Sequence, residues 1–380
     1  MTDFPFTILD VINACGISAN MRGDCVYFDC PKCSGKNKVQ ARISSGVFNC
    51  IKCGDFKGGT LGLYQFYHSC DSKTANKAMR KYVLEPSYSE KRAQTELYAR
   101  QANEIASKNS SLTHRDVINA TYRRFLSLCE LSESDKNNLQ KRGLTEAAIK
   151  HFGFKSAPVN KSEHIRIIKT LLNEGYALKG VPGFFVNDYG HWDYNLKPSF
   201  EGMLIPYISL ENKLIGFQVR LNKPLEERRN DGTVKQLRYL WFTSTDLKNG
   251  CSRSTVPHIT STRKVEKTIF FTEGALKADV ASCLSGRTFV AIAGVTQYSI
   301  LPTLFKQLKN SGVKRIVDCY DADYKKNPNV AKARDRLKYE VQKAGLLYYR
   351  LDWNESDGKG IDDFLLNVPC GTRRYSLFDY

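Results

Sequence analysis

The period of apolar and polar positions changes several times along the chain. Val39, Ala41 and Ile43 alternate with Gln40, Arg42 and Ser44, a break follows at Ser45-Gly46, and Val47-Phe48 resumes, which predicts a β-hairpin. Gly58-Gly59-Thr60 then predicts a helix start, with Thr60 as N-cap and Leu61, Tyr64, Phe66 and Tyr67 behind it. From about Ser87 to Ser111 the chain is polar and charged, a mixture of helix and linker that closes a first domain at 1–86. Residues 112–180 carry helical spacing at Tyr122, Phe125, Leu126 and Leu128. There Leu139-Gln140-Lys141-Arg142-Gly143-Leu144 ends one helix at a glycine, and Thr145 caps the next. From about 181 to 245 the pattern is of strands: Met203 to Ile208, Leu214 to Arg220, and Tyr239 to Phe242.

Beyond residue 266 the pattern alternates. Ile269-Phe270-Phe271-Thr272 reads as a buried strand ending at Glu273-Gly274, with a helix from Ala275 to Leu284. Thr288 to Gly294 is a second strand and Lys314 to Tyr320 a third, closed by Asp321-Ala322-Asp323. A helix from about Val330 to Ala344 and a strand from Leu346 to Leu351 precede Gly358-Lys359-Gly360-Ile361-Asp362-Asp363. Strands alternating with helices predict a parallel α/β sheet with right-handed crossovers. The chain is therefore expected to be an α+β multidomain protein, with an all-β N-terminal module, a helical-then-stranded region at 112–265 and an α/β domain at 266–380.

Composition adds a partner class. The 380 residues are 42% hydrophobic, enough for packed cores, and carry 57 Lys and Arg against 39 Asp and Glu, a net charge of +18. The excess is shared by residues 1–100, 101–266 and 267–380, so a long polyanion touching several domains fits better than a basic tail would. No window is apolar enough for a membrane span, and Met1-Thr2-Asp3-Phe4-Pro5-Phe6 lacks the form of a signal peptide. The 12 cysteines are two tight pairs plus scattered singles, which suits one metal site in a reducing cytoplasm better than a disulfide framework.

Those pairs, Cys30-Pro31-Lys32-Cys33 and Cys50-Ile51-Lys52-Cys53-Gly54, have the spacing of a zinc ribbon, and the predicted hairpin returns the second pair to the first. Four cysteines make a closed structural site for one Zn²⁺, which stabilises a small module by about 10 kcal/mol or more. Lys32, Lys36, Lys38, Arg42, Lys52 and Lys57 lie on or beside the ribbon, with Tyr27, Phe28, Phe48 and Phe56 among them. Cations with exposed rings suit single-stranded nucleic acid; the same rings also serve as a ribbon core.

In parallel sheets ligands collect beyond the carboxyl ends of the strands, where Glu273, Asp321, Asp323 and Asp362 or Asp363 fall. Two carboxylates about 5 Å apart repel by about 3 kcal/mol at an effective dielectric near 20, a cost that divalent cations remove. Oxygen ligands favour Mg²⁺ or Mn²⁺, and two such ions serve in-line attack at phosphorus. Asp321 and Asp323, two apart in extended chain, share a side, whereas Asp318 is expected to point away and be structural.

Glu-Gly after one strand, Asp-x-Asp after a later one and a further acidic pair resemble the Toprim domain of bacterial-type primases, topoisomerases and related nucleases. The resemblance to bacterial-type primases extends over nearly the whole chain: zinc ribbon, helical-to-strand catalytic subdomain, then Toprim. The segments Leu139 to Leu144 and Ile215-Gly216-Phe217-Gln218-Val219-Arg220 are similar to primase segments preceding Toprim, and the likeness is greatest to primases of phages and mobile elements. It implies that Glu273 works in catalysis, that Asp321 and Asp323 hold Mg²⁺ or Mn²⁺, and that Asp362 or Asp363 supplies a late acid. Three departures stand out. Cys33 takes a zinc position typically held by histidine in chromosomal primases. Tyr324-Lys325-Lys326-Asn327-Pro328 replaces the usual glycine after Asp323. The short stretch after Asp363 leaves no room for a helicase-binding domain, so a helicase partner would have to bind elsewhere.

The leading expectation is a DNA-dependent RNA primase acting on nucleoside triphosphates and a single-stranded DNA template, with a replicative helicase or polymerase as a further partner. Arg220, Lys277 and Lys332 would neutralise phosphate charge, Arg142 lies in the primase-like helical segment, and Lys32 and Lys52 would hold template. Arg228, Arg229, Lys235 and Arg238 flank a turn at Asn230-Asp231-Gly232, where a phosphate contact and a solvated hairpin tip explain them equally. A metal-dependent Toprim nuclease and a non-catalytic single-stranded-DNA-binding factor are the alternatives.

Overall fold

The computed structural model describes residues 4–84, 111–228, 234–260, 266–294 and 297–368. The predicted linker 87–111 lies almost wholly outside them, as does Arg229. The chain forms two compact units, one within Met1–Asn109 with Asp246–Lys248 and Thr296–Ser299, the other made of the remainder.

The first unit begins with the helix Ile8–Ala14, whose N-terminus is closed by a capping box between Thr7 and Asp10. An antiparallel sheet follows in sequential order: β1 (Ala19–Arg22), β2 (Cys25–Phe28), β3 (Val39–Arg42), β4 (Val47–Cys50) and β5 (Lys57–Gly59). The predicted hairpin is β3–β4, in register from Val39 opposite Cys50 to Arg42 opposite Val47. Val39, Ala41, Phe48 and Cys50 face inward and pack with Phe28, Phe56, Leu63 and Met79. The helices Thr60–His68 and Ser72–Tyr82 close the unit. Gly59, rather than Thr60, is the first helix's N-cap, because the Thr60 hydroxyl is committed to the Gly46 carbonyl at 3.0 Å. Three of the four ribbon rings are core: Phe28, Phe48 and Phe56 are buried and Tyr27 is half-buried, which follows from the two-residue period of a sheet covered on one face.

The second unit opens with the helices Arg115–Leu128, Glu133–Lys141, Glu146–Phe152 and Lys161–Asn173, with the two-residue strand β6 (Lys155–Ser156) before the last. After the small hairpin of β7 (Phe184–Val186) and β8 (Trp192–Tyr194), an antiparallel sheet forms in the order β11-β10-β9-β6. Its long strands are β9 (Gly202–Ile208), β10 (Leu214–Arg228) and β11 (Val234–Trp241). The helix Arg115–Leu128 lays Tyr122 and Phe125 on one face of this sheet, against Phe217 and Phe242. The other face, through Ile205, Tyr207 and Ile215, packs on Leu139, Ile149 and Phe154 and on Ala275, Leu276 and Val280.

Those last three belong to the helix Ala275–Ser285, which links two strands of a second sheet. Its strands are β12 (His258–Ile259), β13 (Thr268–Glu273), β14 (Phe289–Ile292), β15 (Arg315–Asp318) and β16 (Leu347–Arg350), in the order β12-β14-β13-β15-β16. β13 to β16 are parallel, joined by Ala275–Ser285 and the helices Leu301–Asn310 and Pro328–Lys343; β12 runs antiparallel to β14. The chain steps from β13 to β14 on one side and returns to place β15 on the other. The strand order therefore reverses at the carboxyl end of β13, where doubly wound sheets open a crevice. The short helix Ile361–Asn367 packs beside Ala275–Ser285 through Ile361 and Leu365.

Candidate active site and metal centre

In the first unit, Cys30 and Cys33 precede β3 while Cys50 ends β4 and Cys53 follows it, so the hairpin register brings the two knuckles together. The Sγ atoms of Cys30 and Cys53 are 3.9 Å apart, those of Cys33 and Cys50 are 3.8 Å apart, and all four lie within 4.8 Å of one another. Thiolates about 2.3 Å from a tetrahedral Zn²⁺ stand about 3.8 Å apart, so this donor set fits a structural zinc site. Burial pushes the Cys33 and Cys50 thiols up in the metal-free chain, a cost that a bound cation removes. Lys32 is exposed, with its ammonium 3.2 Å from the Asp55 carbonyl, and Lys52 is half-buried.

In the second unit Glu273 is the last residue of β13. Gly274 adopts φ +74°, a left-handed conformation that costs other residues energy, and this lets the chain leave the strand straight into the helix Ala275–Ser285. That helix is buried on almost every side, so Lys277, one turn beyond Glu273, is held at the crevice. Its ammonium lies 3.5 Å from Glu273 Oε1 and also donates to Asp321 Oδ1. Burial by itself would lower the Lys277 pKa; the Glu273, Asp321 and Asp362 carboxylates more than offset it and hold the ammonium charged.

Asp321 stands just before a 3₁₀ turn, Ala322–Lys325, so Asp321 and Asp323 are joined by a turn rather than by the extended chain expected. Asp321 and Asp323 are both buried, and Asp323 Oδ2 accepts from Lys359 at 2.9 Å. Tyr324, in the segment that stands where a glycine was expected, lies near the Arg334 and Arg350 guanidiniums, 4.3 and 5.1 Å from its ring centre. Asp318 is wholly buried, paired with Arg334 and bonded by the Tyr348 hydroxyl, in keeping with the structural role expected of it.

The late acids separate. Asp362 is buried, 3.4 Å from Arg142 Nη1; burial pushes its carboxyl up, while Lys277 and Arg142 pull it down. Asp363 is exposed, and its carboxylate accepts from the Gly360 amide at 3.3 Å, closing the start of Ile361–Asn367. Two buried carboxylate oxygens, Asp323 Oδ1 and Asp362 Oδ1, have no hydrogen-bond partner. Such orphans fit a cation-binding centre, since a buried anion without a donor is costly. Among the described residues, however, only the four cysteines group three or more potential ligand atoms closely enough for one ion; the acids are spaced by lysines.

The predicted basic residues scatter. Arg220 sits inside β10 rather than at its end, beside a register shift, with its Nε buried and unpartnered. Arg142 faces Asp362, Lys332 is exposed on the helix Pro328–Lys343, Arg238 is exposed on β11, and Arg228 ends β10. Sequence reasoning missed Lys359 and Arg334. The first had a signal, a lysine between two glycines just before an acidic pair; the second, one of many basic residues on a charged helix, had none.

Residues 260–369 match a family model described as "Domain of unknown function (DUF3854)". No curated protein matches the sequence. Among solved structures, the Aquifex aeolicus primase (zinc-binding and RNA polymerase domains) is similar over 97% of this chain and 81% of its own, with TM-score 0.50 and 15% identity. The RNA polymerase domain of Mycobacterium tuberculosis primase DnaG, solved with double-stranded DNA, gives TM-score 0.49 at 16% identity over 70% of this chain and 80% of that one. The primase fragment of the bacteriophage T7 primase-helicase protein gives 0.35 at 12% identity over 90% and 94%. The fold is that of the zinc-binding and RNA polymerase domains of DnaG-type primases, on the strength of the first of these.

Proposed function

We propose that the chain is a DNA primase, making short RNA primers on single-stranded DNA by metal-dependent nucleotidyl transfer. One observation carries the reading: a chain that follows a primase fold over 97% of its length collects Glu273, Asp321, Asp323 and Asp362 where its parallel sheet reverses strand order. We read 1–86 as a zinc-ribbon template-binding domain, 112–265 as a catalytic subdomain and 266–380 as a Toprim-type domain, in a cytoplasmic protein serving phage or mobile-element replication. Among the described residues, no helix is long and apolar enough to cross a membrane.

Asp321 and Asp323 would hold Mg²⁺ or Mn²⁺, which supplies charge stabilisation at the phosphates when bound. The rest falls to the chain's own groups. Lys277 and Lys359 counter the charge of an incoming triphosphate. Glu273, whose side chain is 27% exposed against 8% for Asp321, would take the proton of the attacking 3′-hydroxyl as its oxygen bonds to the α-phosphorus and pyrophosphate leaves. Arg142 orients Asp362. The ribbon lysines and Arg238 would grip template phosphates, and a helicase or polymerase would receive the primer.

The test is incubation with single-stranded DNA, labelled ribonucleotides and Mg²⁺ or Mn²⁺. New oligoribonucleotides that disappear in the Asp321→Ala, Asp323→Ala double variant support priming. Shortened template instead supports a nuclease, and retention of DNA without either product supports a binding factor.

A further inference from the structure

Every acid of the crevice but Asp363 meets a basic side chain: Lys277 stands between Glu273 and Asp321, Lys359 on Asp323, and Arg142 on Asp362. These partners differ in freedom. The Lys359 side chain is 60% exposed and can swing into solvent, whereas that of Lys277 is 19% exposed. A β-carbon on Gly360 would fall 3.0 Å from Lys277 Cε, 3.2 Å from its Nζ and 2.5 Å from Asp362 Oδ1. The lysine stem and the orphan oxygen thus converge over bare Gly360 backbone, and the ammonium is held by the Glu273 and Asp321 carboxylates.

Resting on the nucleotidyl-transfer reading, we propose that Lys277 is a resident cation that takes one of the two divalent positions. The centre then binds a single Mg²⁺ or Mn²⁺, on the Asp321–Asp323 pair, with Lys359 as the occupant that leaves. Charge supports this count. With Lys359 displaced, Glu273, Asp321, Asp323 and Asp362 oppose Lys277 and Arg142, leaving two negative charges, which one divalent ion neutralises. A second ion beside Lys277 would meet an ammonium already seated between the two oxygens it needs. A tethered ammonium also forms its contacts without the entropy loss of capturing a free ion. Asp323 Oδ1, buried and unpartnered, is the oxygen left for the single ion.

Zinc-loaded full-length protein would be titrated with Mn²⁺ and bound ions counted by electron paramagnetic resonance. The wild type should retain one Mn²⁺ per chain, Lys277→Met two, Lys359→Met one, and Asp323→Asn none. Lys277→Gln, which removes the ammonium but keeps a long polar side chain, should likewise retain two. Two ions in the wild type, or a single ion in both Lys277→Met and Lys277→Gln with zinc content and thermal unfolding intact, overturns the inference alone. Should Lys277→Met fail to fold, Lys277→Gln decides. No bound Mn²⁺ in any variant overturns the metal-centre reading along with it. One bound ion without primer synthesis upholds the lysine's role and overturns the primase assignment.

Discussion

Arg334 donates to the backbone oxygen of Tyr320 at 2.8 Å, gripping the residue just before Asp321 from the helix Pro328–Lys343. The same guanidinium pairs with buried Asp318 and with Asp352, and lies over the Tyr324 ring. One buried cation thus fixes both ends of the loop that carries Asp321 and Asp323. Arg334→Met should destabilise the second unit by about 3–5 kcal/mol, because it strands the Asp318 charge. Adding Asp318→Asn should recover a large part of that, and thermal unfolding of the single and double variants checks it. Equal losses in both would show that Arg334 acts by packing alone.

Asp321→Asn removes a carboxylate without changing its shape. Primer synthesis should fall by about 10²-fold or more, several kcal/mol of lost transition-state stabilisation. The fold should persist, since the crevice carries more carboxylates than cations. Activity with unaltered unfolding temperature is the paired measurement, and near-normal priming would remove Asp321 from the site.

The four-cysteine site should govern the first unit and leave the second intact. Cys50→Ser, or a strong chelator, should release about one zinc per chain and unfold residues 4–84, since binding contributes about 10 kcal/mol or more to such modules. Amide hydrogen exchange read segment by segment would locate the effect. Protection lost equally from β13 to β16 would contradict it.

His258 accepts from the Ile208 amide on Nδ1 at 3.1 Å and, through Nε2 at 2.8 Å, donates to Asp279, with both side chains buried. Burial raises the Asp279 pKa above the ordinary carboxylate value, although His258 pulls it down. The folded state therefore binds that proton more tightly than the unfolded chain does. The contribution to stability is complete below the unfolded value, about 3.9, and is lost as pH rises through the higher folded value. Asp279→Asn should flatten the decline in unfolding temperature on that side of the profile, while its amide oxygen still accepts from His258. A profile parallel to the wild type's would show that Asp279 does not titrate there.

The zinc knuckles, the β3–β4 hairpin, the alternation of strands and helices after residue 266 and the placement of acids at strand ends were all legible along the chain. Each is a local pattern: spacing between cysteines, a period of two or 3.6, a polar residue ending an apolar run. The structural role of Asp318 was legible for the same reason. Departures from the expectation came where two distant segments compete for one group. Thr60 looks like an N-cap until Gly46 claims its hydroxyl, and Phe48 looks available for stacking until it meets Phe56, 4.8 Å away between ring centres. Arg220 looks like the end of a strand until β10 continues, through a register shift, to Arg228.

Sequence alone determined which residues are candidates for the chemistry, because ligand type, spacing and strand-end position are properties of short stretches. Only the tertiary structure decided how they are shared. It set Lys277 between Glu273 and Asp321, turned Asp362 inward and Asp363 to the helix start, and enlisted Arg334 and Lys359. The physical reason is that Coulomb energy and desolvation depend on distance in space. Glu273 and Asp321 are 48 positions apart in sequence yet meet a single ammonium, because strand order places β13 beside β15.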